Sequence, residues 1–153
     1  MTHRKPLILI AMVAALVAGG AIASAASPAE TISARQSNFK KMGGAMKVLK
    51  DELAGGADKA KMLTAARTIA ATARVQQGQF PAGTGPASGV KTDALPAIWT
   101  QKPTFDAAAA KLVAEADKLV GLAGSGNKAA VLAQFKAVGG SCAACHRQFR
   151  ADE

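Results

Sequence analysis

The residues able to do chemistry in this chain are concentrated in one short run. Cys142-Ala143-Ala144-Cys145-His146 spells the C-x-x-C-H pattern through which two thiols attach a c-type haem covalently. On a helix, positions i, i+3 and i+4 share a face, so Cys142, Cys145 and His146 point the same way and address one flat macrocycle. In that reading the thiols add across the haem vinyl groups as thioethers, and an imidazole nitrogen of His146 becomes the proximal iron ligand. Ala143 and Ala144 are small enough to let the porphyrin edge approach the backbone.

Other uses of the same residues are weaker. A disulfide between Cys142 and Cys145 would close so short a loop that it gains little entropy, and the strand-helix context of a thioredoxin-like redox pair is missing. A structural zinc site needs four strong ligands. Two cysteines and His146 supply three, because His3 lies in a leader that export would remove.

These residues need a helix to present them, and the chain supplies four. Residues 30–53 place Ile32, Phe39, Met42, Met46, Leu49 and Leu53 at steps of three, four and seven, the pattern of a helix with one apolar stripe. Gly55-Gly56 stops it, and Asp58 caps a second helix reaching residue 77 with Met62, Ala66, Ile69, Ala70 and Ala73 inward. Residues 78–96 hold Gly78, Gly83, Gly85, Gly89, Pro81, Pro86 and Pro96, which forces an irregular crossover. Thr104 is expected to cap a third helix over 105–122, with Leu112, Val113, Ala116, Leu119 and Val120 facing in. Asn127 opens a fourth helix to about residue 150, carrying the haem motif. The expected fold is all-α, an antiparallel four-helix bundle with covalently attached haem c.

Composition agrees with that fold. Among 153 residues, 37 are Ala and only 4% are aromatic, a composition of small side chains with high helix propensity that disfavours strand-rich architectures. The net charge of +9 raises nucleic acid as a partner. Basic residues are scattered, however, with no aromatics interleaved to stack on bases, so a solvated basic surface is the better reading and no nucleic-acid partner is expected.

Residues 1–25 read as a cleavable signal peptide. Arg4 and Lys5 precede an unbroken apolar run over 7–18, and Ala23-Ser24-Ala25 offers the small residues a signal peptidase accepts. The rival is an uncleaved anchor, since residues 6–26 carry no charge, but Gly19-Gly20 breaks the run. Cleavage takes away Arg4 and Lys5, so +9 less 2 leaves +7 on a single domain over 26–153, with no membrane attachment and His146 as the one remaining histidine. A periplasmic location follows, because c-type haem attachment is completed outside the cytoplasm.

Further stretches carry a family resemblance. Ala34-Arg35-Gln36-Ser37-Asn38-Phe39 with residues 40–46, Phe80-Pro81-Ala82-Gly83-Thr84, Ile98-Trp99, and residues 140–150 around the haem motif resemble the cytochrome c prime family, the class II c-type cytochromes. The resemblance covers nearly all of residues 30–153. It implies a haem inside a four-helix bundle, five-coordinate and high-spin, with an apolar side chain crowding the vacant side of the iron. That distal position is matched by Phe39; Arg35 and Gln36 match residues near the haem propionates, and Arg150 the basic residue beside the proximal histidine. It also implies a homodimer through the first two helices.

The implied function is binding of small diatomic gases, nitric oxide and carbon monoxide, electron transfer with redox partner proteins, or both. Some class II relatives are instead low-spin with a first-helix methionine as sixth ligand. No Met follows Cys145, so Met42 or Met46 would fill that role in a diffusible electron carrier. An enzyme acting on an organic substrate is not expected, since no acid/base pair accompanies the iron.

Overall fold

The computed structural model describes residues 26–152, so the expected signal peptide at 1–25 lies outside the described residues. Four long helices form an antiparallel bundle: α1 (Pro28–Ala54), α2 (Lys59–Val75), α4 (Lys102–Ser125) and α5 (Lys128–Phe149). A four-residue helix, α3 (Ala97–Thr100), ends the crossover and was not foreseen. Among the described residues no helix is long and apolar enough to cross a membrane.

Local chemistry sets the helix ends. Ser27 caps α1 in a reciprocal capping box, its hydroxyl accepting from Glu30 N at 3.3 Å while Ser27 N donates to Glu30 Oε2 at 2.8 Å. Asp58 and Asn127 cap α2 and α5 as expected, accepting from Lys61 N at 2.9 Å and Ala130 N at 3.1 Å. Gly126, at φ 76°, supplies the left-handed residue that ends α4. Thr104 is not a cap: α4 starts at Lys102 behind Gln101, because Pro103 in its first turn has no N–H to satisfy. The second helix ends at Val75 rather than 77, and the chain tightens into a 3₁₀ turn at Gln77–Gln79.

Packing runs α1 on α2, α2 on α4 and α4 on α5. The core joins Leu49, Met62, Ile69, Leu119, Val131 and Val138, all fully buried. Ala65, Ala66, Ala70, Ala73, Ala116 and Ala123 let the helices close on one another. Val113 and Val120 lie at the margin of this core, half-buried. A second cluster, Phe80, Ile98, Phe105 and Phe149, closes the other end of the bundle.

The crossover is fastened to that end. Leu95 N donates to Phe149 O at 3.0 Å and Ala151 N to Asp93 O at 2.8 Å, pairing Ala94 with Arg150 just beyond the haem motif. Trp99 Nε1 donates to the carbonyls of Phe80 and Pro81 at 3.2 and 3.1 Å, and its ring lies flush on Gly85, where a Cβ would stand 2.9 Å from Cζ3. Only glycine permits that approach.

Candidate haem-binding site

Where α1 and α5 face each other across the open side of the bundle, they enclose a cavity of about 580 Å³. Every expected site residue lines it: Cys142, Cys145, His146 and Arg150 from the end of α5, and Arg35, Gln36 and Phe39 from α1. Met42 and Met46 line it too, while Ala108, Ala109 and Leu112 of α4 form its floor. The α1 stripe therefore splits between two tasks. Leu49 and Leu53 are in the core, whereas Phe39 and Met46 stay half-buried because they border the cavity.

The α5 end is built for a metal-bearing group. Cys142 and Cys145 are half-buried free thiols, and burial pushes both up from the ordinary thiol value, with Cys142 adding to the shift of Cys145. His146 is more open to solvent, yet burial of its ring, then the nearby positive Arg150, lower its pKa. Both effects favour the neutral imidazole, the form that binds metal. Arg150 N donates to His146 O at 3.0 Å, and its guanidinium lies 3.7 Å from Asp93 of the crossover.

The opposite end holds a buried cation. Arg35 is 2% exposed, and its guanidinium donates to Gln79 O, Thr84 Oγ1, Thr84 O and Thr92 Oγ1 at 2.8 to 3.2 Å. Its Cζ lies 4.4 Å from the centroid of the Phe80 ring. Among the described residues no carboxylate pairs with it, so this charge is held by neutral acceptors and an aromatic face alone. Gln36 is exposed at the rim and donates to Lys91 O at 3.2 Å. Phe39 meets Phe80 edge-on at 6.5 Å, in a chain of rings continuing to Phe105 and Phe149.

These features suit haem c. The volume falls in the range of ligand cavities. Its walls are mostly apolar, two thiols and an imidazole share one helical face, and an unpaired buried cation awaits an anion such as a propionate. Sequence reasoning missed the α4 floor and Gln76, which lines the cavity from the end of α2. Nothing in the sequence sets Gln76 apart from Gln77 or Gln79.

Comparison with known proteins agrees with this geometry. A sequence model of the family described as Cytochrome C' matches residues 30–150. Cytochrome c' of Rhodospirillum rubrum is 36% identical over 152 residues, covering 97% of this chain and 99% of that protein. Among solved structures, cytochrome c' from Thermochromatium tepidum superposes with a TM-score of 0.79 at 32% identity, over 83% of this chain and 98% of that one. The nitric oxide complex of a variant cytochrome c prime from Alcaligenes xylosoxidans gives a TM-score of 0.75 at 26% identity, over 83% of this chain and 98% of that one.

Proposed function

This chain belongs to the cytochrome c' family, a c-type haem protein with covalently bound haem c, and from that premise we propose that it is an exported protein that binds nitric oxide or carbon monoxide at a five-coordinate iron and exchanges single electrons. The observation that carries the reading is the placement of Phe39. It lines the same cavity as His146, from the helix opposite, and it has no atom that can coordinate a metal.

The haem supplies an iron that gains or loses one electron and can hold a small diatomic molecule. The chain's own residues set the terms. Cys142 and Cys145 tether the ring, so the cofactor is not lost by dissociation. His146 holds the iron from α5 as a neutral ligand. Arg35 receives a propionate at the buried end, where Thr84 and Thr92 fix its guanidinium. With a haem held by His146, Phe39 and the apolar walls would exclude water and bulky anions from the cavity, while a small neutral molecule would need only a modest displacement of the ring.

The relative solved with nitric oxide bound supports this choice of ligand. A second reading keeps the electron-carrying role alone. Met42 and Met46 also line the cavity from α1, so either could ligate the iron and leave no open position. The ferric absorption spectrum separates the two: a sulfur-to-iron band marks Met ligation, and a high-spin charge-transfer band marks the open site. Spectra of the ferric and reduced protein, with and without carbon monoxide, complete the test.

Export to the periplasm and removal of residues 1–25 belong to the same proposal, as does a dimer through α1 and α2. A shallow groove between those helices, lined by Lys41, Ala45, Val48, Ala60, Thr64 and Thr68, supports that dimer. Val48 stands 46% exposed in it.

A further inference from the structure

Among the described residues, two polar side chains of the haem cavity wall are more than nine-tenths buried: Arg35, at 2% exposed, and Gln76, at 6%. The first already has a role; the second does not. Gln76 follows α2, with its backbone tied to Ala73 O and Gln79 N. Its side-chain Oε1 is enclosed and accepts no hydrogen bond, and its Nε2 donates to no acceptor among the described residues. Gln77 Nε2, by contrast, is satisfied by Asp106 O at 3.1 Å. The enclosed Oε1 has lost its hydration and gained no partner in return, whereas Nε2 is not enclosed in the same way and its two N–H donors are unused among the described residues.

Arg35 explains what the amide is for. A guanidinium has five N–H donors. Nη1 spends two on Gln79 O and Thr84 Oγ1, and Nη2 spends two on Thr84 O and Thr92 Oγ1, which leaves only the Nε–H. A carboxylate entering beside Arg35 therefore finds its charge but few of its hydrogen bonds. An ionised carboxylate has about four acceptor sites, so a further donor must come from the wall. Gln76 is the other buried polar group there.

We propose that the Gln76 carboxamide donates a hydrogen bond from Nε2 to an oxygen that the haem brings into the cavity. The donor count at Arg35 favours a propionate oxygen. The oxygen of a diatomic held at the iron offers the same chemistry, and the experiment separates these sources. The inference rests on this cavity being the haem site.

The test compares haem-loaded wild type with Gln76→Met, which keeps the length of the side chain and removes the donor, and with Gln76→Leu as a second apolar variant. Resonance Raman and infrared spectra are taken on the ferrous carbon monoxide forms, with the midpoint potential alongside. The expected result is a shift of the propionate bending bands, an unmoved C–O stretch and a lower potential, because the propionate charge is less compensated. A raised C–O stretch with unmoved propionate bands identifies the bound diatomic as the acceptor and sustains the hydrogen bond. Unmoved propionate bands and an unmoved C–O stretch, in variants with wild-type haem content, overturn the proposal. Wild type that carries no covalent haem sinks the underlying reading instead, so the two failures are distinguishable.

Discussion

The Arg35 guanidinium lies over the face of the Phe80 ring, 4.4 Å from its centroid, and the same ring meets Phe39 at 6.5 Å. One aromatic side chain from the crossover thus links the buried cation at one end of the cavity to Phe39 in its α1 wall.

Replacing Phe39 with Ala removes a steric barrier to ligand entry. Carbon monoxide association should speed up by about 10- to 100-fold, the equivalent of ~1.4 to 3 kcal/mol off the barrier. Stopped-flow mixing of the reduced protein with carbon monoxide measures this. An unchanged rate removes Phe39 from ligand control.

Arg35→Met strands acceptors at Gln79, Thr84 and Thr92 that now receive its hydrogen bonds. With these four hydrogen bonds between α1 and the crossover gone and only that from Gln36 to Lys91 O left, stability to urea should fall by about 2 to 4 kcal/mol. Loss of stability below about 0.5 kcal/mol would mean that the hydrogen bonds contribute nothing net.

Gly85→Ala drives a Cβ to within 2.9 Å of Trp99 Cζ3. The indole must move off its carbonyl partners, at a cost of about 1 to 3 kcal/mol. Trp99 is the only tryptophan, so its fluorescence maximum reports the displacement directly. Wild-type emission together with wild-type stability contradicts the packing described above.

Acid should weaken the α4–α5 contact. Glu115 accepts from Gln134 Nε2 at 2.6 Å and pairs with Lys118 at 3.2 Å; these hydrogen bonds, that to Gln134 first, hold its pKa below the ordinary 4.5. A carboxyl depressed in the folded state stabilises above its unfolded value and loses that contribution as pH falls through the folded value. Urea midpoints of wild type and Glu115→Gln should therefore differ most near neutrality and converge as the pH falls through the depressed value of this carboxyl. A gap that stays constant with pH assigns the effect to something other than ionisation.

Val48→Asp places a charge in the α1–α2 groove, where the residue is now 46% exposed. Sedimentation equilibrium should show the variant as a monomer at concentrations where wild type is dimeric. A wild type that is monomeric throughout rules out the dimer.

The haem motif was legible because helical geometry is local: residues three and four apart share a face whatever surrounds them. Asp58 and Asn127 were legible as caps for the same reason, since a cap bonds the backbone three residues on. Thr104 misled because Pro103 lets the helix begin earlier than its best capping residue. The short α3 was hidden inside a Gly- and Pro-rich crossover.

Residue types and spacing by themselves determined four helices, their polarity of burial, and a thiol-imidazole face near the carboxyl end. They did not determine which part of the α1 stripe would become core and which part cavity wall, because both demand the same apolar side chains. That division, the burial of Arg35 without a carboxylate, and the enclosed, unpartnered Oε1 of Gln76 arise from helices brought together over long sequence separations. Desolvation depends on everything that surrounds a group, and only the packed bundle defines those surroundings.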